Sequence, residues 1–159
     1  MVNNPAPASM LYLKIGKISI PVHPVATHFP NALLPTAALF FFCYIAAKIA
    51  GLGIADNLEI ASFYCLIVAV LSVPVAYWAG YYDWQVKYRG AKAPIFITKA
   101  RYGIIMIVLG VVSVAQHILV PQTTVLTSPW LWLYAAMMLG QVGIAGLLGH
   151  LGGKLVYLH

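Results

Sequence analysis

Histidine is the residue type in this chain whose placement suggests chemistry. There are five, His23, His28, His117, His150 and His159, in a sequence of 159 residues that has only three acidic side chains. Two of them open the segment "HPVATHFPNALLP", residues 23–35, where three prolines stand at the mouth of a long apolar run. An imidazole is costly to place in lipid, and it binds metals and protons near neutral pH. Other chemistries find no foothold. The sequence has no glycine-rich phosphate loop, no nucleophile elbow and no paired carboxylates. Asp56 and Glu59 are close together but fall in a short polar stretch, and they read as a solvated cap before a helix. Cys43 and Cys65 lie in apolar runs without zinc or redox spacing, and read as small core hydrophobes.

The elements that must position these histidines are membrane helices. The chain is 62% hydrophobic and 8% charged, against about a quarter charged in a soluble domain. Four runs are long enough to cross a bilayer, which takes about 20 apolar residues. They cover roughly residues 31–50, 60–81, 102–120 and 130–152 of a single domain, 1–159. "GLGIADN", "DWQVKYRGAKAP" and "PQTTVLTSP" separate them. Ser128 before Pro129 has the form of an N-cap followed by proline at the first helical position. The start, "MLYLKIGKISIPV", has Lys14 and Lys17 where a signal peptide would run unbroken. It alternates instead, which predicts a short extended or interfacial segment. The expected fold class is all-α, an integral-membrane four-helix bundle with both termini on one side.

On that topology one side carries Lys14, Lys17, Lys87, Arg89, Lys92, Lys99, Arg101 and Lys154, and the other only Lys48. The positive-inside rule makes the basic side cytoplasmic. The net charge of +6 is then accounted for by orientation and by anionic lipid headgroups, and no nucleic-acid partner is implied. Trp78, Tyr81, Tyr82, Trp84, Trp130 and Trp132 fall near the expected span ends, where aromatic belts form.

His23 and His28 stand at the cytoplasmic entrance of the first span. His150 lies about 20 residues into the fourth, about 30 Å from its start, and so returns to the same depth. His117 alone sits at the opposite end and, like His159, reads as a headgroup contact. Facing helices of a bundle hold cofactors between them, and two imidazoles are a common clamp for a b-type heme. The expected ligands are His28 and His150. His23 is either an alternative ligand or a residue that orients one, because five residues in a helix turn about 140° and the two N-terminal histidines cannot share one face. Lys99 and Arg101 would meet the heme propionates. Gly140, Gly143, Gly146, Gly149 and Gly152 recur every three residues. They serve either close helix packing or clearance for a macrocycle, with Gly149 beside His150.

The motifs "IPVHPVATHFPNALL" and "GHLGGKLVY" resemble those of the bacterial membrane family catalogued as domain of unknown function 2231, which opens with HP-x-x-x-HFP and closes with GG-x-LVY. The resemblance covers nearly the whole chain, and "GYYDW" (residues 80–84) is similar to the family's glycine-then-aspartate end of the second helix. Many members carry a histidine near the start of the third helix. Here that stretch reads "TKARYG", and His150 is the candidate substitute. The family name implies no activity. Resembling relatives are often found beside cytochrome or iron–sulfur modules, which implies redox work.

The function expected from these readings is a small b-type cytochrome or cytochrome subunit. It would carry electrons between the quinone pool and a partner protein, within a larger membrane redox complex or a homo-oligomer surrounded by lipid. The alternative is a non-redox structural or assembly subunit that binds lipid or pigment.

Overall fold

A computed structural model describes residues 11–15 and 18–157. His159 and Lys17 lie outside the described residues. Two short strands, β1 (Tyr12–Ile15) and β2 (Ile18–Pro21), pair antiparallel with Tyr12 opposite Pro21. They are the extended segment that the alternating pattern announces. Four helices follow: α1 (Val22–Ile49), α2 (Ala55–Lys87), α3 (Pro94–Leu119) and α4 (Pro129–Tyr157), with a 3-10 turn, Pro121–Thr124, between the last two. All four are long and apolar enough to cross a membrane. The chain is a four-helix membrane protein, as its composition requires.

Every helix is longer than the apolar run that marks it. α2 has 33 residues, about 50 Å at 1.5 Å per residue, against a hydrocarbon core of about 30 Å. The surplus reaches into the headgroup region, so helix ends carry polar residues at interfacial depth. The largest shift of a single boundary is at the start of α1, which is helical from Val22 through both histidines of the opening motif. Pro24 sits in the first turn, where no N–H is needed. Pro30 and Pro35 lie deeper in the helix and each removes one backbone bond, a loss that neighbouring helices and hydroxyls can absorb in a membrane bundle. At the start of α4 the Trp130 N–H donates to Ser128 Oγ at 3.2 Å, the cap expected from Ser-Pro.

The core lies along the bundle axis. Leu34, Ala37, Phe41 and Tyr44 of α1 meet Leu66 and Ala69 of α2, Met106 of α3, and Leu131, Tyr134 and Met138 of α4. Leu39, Leu71, Val108 and Leu139 point outward and are exposed, as lipid-facing residues must be. Lipid gives no hydrophobic drive for helix association, so small residues and interhelical hydrogen bonds hold the helices together. Ser62 Oγ donates to the Ala37 carbonyl at 2.7 Å. Gln141 Nε2 donates to Ser113 Oγ at 3.0 Å, and Gln116 Nε2 to the Trp130 carbonyl at 2.7 Å. Gly110 lets α2 approach α3, because a Cβ there would lie 2.8 Å from Val70 Cγ2.

Candidate cofactor cavity

The start of α1, the end of α2, the start of α3 and the end of α4 surround a cavity of about 410 Å³ at one end of the bundle. Its polar groups are few. His23, Thr27 and Asn31 come from α1, Asp83 and Lys87 from α2 and Lys99 from α3. The rest of the wall is aromatic or apolar, including Tyr77, Trp84 and Phe96, with Met106. Trp84 and Phe96 stack with centroids 5.7 Å apart and planes 10° apart, which gives one wall a flat face. An apolar hollow with a few convergent polar groups is the usual form of a small-molecule site.

His23 is held in place by α2. Its Nδ1 lies 3.1 Å from the Ala76 carbonyl oxygen. A carbonyl only accepts, so Nδ1 carries the proton and Nε2 keeps its lone pair. That is how metal-binding histidines are commonly oriented. The ring lies over Gly80, where a Cβ would come 2.6 Å from His23 Cε1, so residue 80 must be glycine for the imidazole to sit there. Gly103 has the same role for Tyr77, with a Cβ position 2.6 Å from its Cδ2. Lys99 makes no ion pair among the described residues. Asp83 is buried, and one of its carboxylate oxygens accepts from the Leu11 N–H at 3.4 Å.

Of the residues that the sequence nominates, the cavity brings together His23, Lys99 and Gly149. His28, His150 and Arg101 do not line it, and all three are exposed on the bundle. The reason for His28 is geometric. With α1 helical from Val22, its offset of about 140° from His23 turns one imidazole inward and the other outward. The α4 glycines divide for a similar reason, since a spacing of three drifts about 60° around a helix at each step. Gly140 packs near Leu109 and Gly152 near Lys99, while Gly143, Gly146 and Gly149 have nothing within 4 Å of a Cβ position. The close approaches belong to Gly80, Gly103 and Gly110, which no sequence periodicity marks.

The opposite end of the bundle also differs from expectation. Asp56 is exposed and pairs with Lys48 at 2.8 Å, as a solvated cap would. Glu59 turns inward instead, with Oε1 2.8 Å from His117 Nε2. His117 is not a headgroup contact. Its ring stacks on Phe63 at 3.9 Å and lies 5.5 Å from that of Tyr134. A histidine and a glutamate at one depth on successive helices were the available signal. Intramembrane ionisable groups that pair are functional candidates by default.

Fold and cavity define a class, the four-span membrane proteins with a largely apolar cavity, carrying a few polar groups, where the helix ends meet. The chain belongs to the family described as "Predicted membrane protein (DUF2231)", whose model matches residues 19–159. Neither a curated protein nor a solved structure matches it. The three motifs of the resemblance meet at the cavity. His23, Pro24, Thr27 and Pro30 come from the first, Gly80, Tyr81, Asp83 and Trp84 from the second, and Gly149, Gly152 and Leu155 from the third.

Proposed function

We propose that this protein is a small membrane redox subunit that holds a flat, electron-carrying group in the His23 cavity. It would pass electrons between the quinone pool and a partner protein. The observation that carries the reading is the inward-facing His23 imidazole, with Nδ1 fixed on the Ala76 carbonyl and Nε2 left as a donor atom within an aromatic wall. A b-type heme is the group we nominate. It would supply one-electron transfer. The protein sets its geometry and potential through ligands, charge and burial. His23 Nε2 would hold the iron, and Met106 of α3, which also lines the cavity, would be the second donor. Lys99, without a carboxylate partner, would receive a propionate. In this reading His28 and His150 lie outside the clamp. With the cavity at the basic end, the site would face the cytoplasm of a bacterial inner membrane, and both termini would be cytoplasmic.

A quinone ring is the second reading, favoured by the Lys99 ammonium, which can donate to a quinone oxygen, by His23 Nε2, which can accept from the hydroxyl of the reduced form, and by the stacked Trp84–Phe96 face. One experiment separates these readings. The protein is purified from cells supplied with heme, its reduced optical spectrum is recorded, and its lipid extract is assayed for quinone. A sharp α-band of six-coordinate heme, lost in His23→Ala and kept in His28→Ala and His150→Ala, supports the cavity clamp. Loss of the band in the latter two variants instead returns the ligands to His28 and His150. A colourless protein that retains quinone in proportion, less so in Lys99→Ala, establishes the second reading. A folded preparation with neither overturns both and leaves a lipid-embedded structural subunit.

A further inference from the structure

At the end of the bundle away from the cavity, three polar side chains from three helices meet. Glu59 comes from α2, His117 from α3 and Tyr134 from α4. Their hydrogen-bonding capacity is not used up. Glu59 Oε1 and His117 Nε2 are 2.8 Å apart but not aligned for a hydrogen bond, while His117 Nδ1 and the Tyr134 hydroxyl are buried with no hydrogen-bond partner among the described residues. Tyr134 is 1% exposed. Buried polar atoms are nearly always satisfied, and one that is not calls for a bound water, an ion or a functional role. A structural ion pair would have its remaining donors and acceptors filled, since a half-satisfied network is worse than an apolar one.

Access is graded. The side chain of Asp56 is 77% exposed, that of Glu59 18% and that of His117 14%, and Tyr134 is sealed. The apolar surroundings are Phe63, stacked on His117, and Phe41, whose ring lies 5.0 Å from that of Tyr134. The other charged side chains at this end are Asp56 on α2 and Lys48 on α1, the Tyr44 hydroxyl of α1 lies there as well, and Tyr64 of α2 faces outward. Lys48 is committed to Asp56, and the Tyr44 hydroxyl donates to the Thr124 carbonyl. The cluster therefore opens to the aqueous side through Glu59 and ends inside at the Tyr134 hydroxyl.

We propose that Glu59, His117 and Tyr134 form a proton-binding site, in which one exchangeable proton is shared between carboxylate and imidazole. A water bridges His117 Nδ1 to the Tyr134 hydroxyl. The exchange conserves charge. The Glu59 O–H bond breaks as the His117 Nε2–H bond forms, so carboxylic acid plus neutral imidazole becomes carboxylate plus imidazolium. A second proton enters or leaves through Glu59 to the aqueous side. The site stands independently of what the opposite cavity binds.

The chain has only three acidic side chains, Asp56, Glu59 and Asp83, so its carboxyl titrations can be assigned individually. The experiment is a set of infrared pH-difference spectra of the protein in lipid vesicles, reading the C=O stretch of a protonated carboxyl. Wild type should show a carboxyl that titrates away from the others and vanishes in Glu59→Gln but not in Asp56→Asn. Groups sharing a proton titrate as a pair, so His117→Gln should move the Glu59 midpoint by about one pH unit or more. Tyr134→Phe should move it in part, and Tyr64→Phe, on an exposed face, not at all. If Glu59→Gln does not fold, the His117 and Tyr134 variants still test the coupling. A Glu59 midpoint unchanged in His117→Gln would mean two independent groups and would overturn the proposal, as would a band that survives in Glu59→Gln.

Discussion

Replacing Gly80 with alanine should displace the His23 imidazole. The new Cβ would stand 2.6 Å from His23 Cε1 and 3.0 Å from Nδ1. Carbon atoms rest at about 3.5–4.0 Å, so the ring must retreat by about 1 Å. Ala76 and Gly80 lie one turn apart on the same helix face, so that retreat also carries Nδ1 away from the Ala76 carbonyl. A separation of 3.1 Å stretches to about 4 Å, beyond hydrogen-bond range. Overpacking costs about 1–3 kcal/mol and the lost bond about 0.5–1.5 kcal/mol, while alanine regains about 1 kcal/mol of helix propensity. The net expectation is a loss of about 0.5–3.5 kcal/mol. The assay is a double-mutant cycle on unfolding in mixed detergent micelles, using wild type, Gly80→Ala, His23→Ala and both together. With the imidazole gone the new methyl meets no ring, so Gly80→Ala should be neutral or stabilising in the His23→Ala background. An equal loss in both backgrounds would refute the claim that Gly80 is glycine for the sake of His23.

Other expectations follow from the same geometry. Gly143→Ala, with nothing within 4 Å of the new Cβ, should be neutral or stabilise by up to about 1 kcal/mol in the same unfolding assay. Gly110→Ala, facing Val70 Cγ2 at 2.8 Å, should destabilise by up to about 2 kcal/mol once overpacking is set against the helix gain. Ser113→Ala removes the acceptor of Gln141 and should cost about 0.6 kcal/mol, the average for interhelical bonds in membranes, with Gln141→Leu restoring part of it. A reporter active only outside the inner membrane, fused to the C-terminus, should stay silent if the basic end is cytoplasmic, and activity there would reverse the orientation.

Four spans, their order and their approximate places were legible in the sequence. Lipid demands about 20 apolar residues per crossing, and the polar stretches between the runs stand out against 8% charge. The Ser128 cap and the extended segment before α1 were legible too, because each depends on neighbours in the chain. The conditional turn of about 140° between His23 and His28 already held the answer that one faces inward, once α1 is helical from Val22. Which one does so depended on α2, since only the Ala76 carbonyl and the bare face of Gly80 give an imidazole a seat. The pairing of Glu59 with His117 was likewise decided by packing, across helices whose rotation about their own axes is set by the whole core. Membrane helices apolar on nearly every face carry little periodicity to announce that rotation. The sequence by itself therefore determined how many helices there are and at which end of the bundle His23, His28, His117 and His150 lie. The tertiary structure alone decided which side chains face the axis, because that depends on close contacts between surfaces that are distant in the chain.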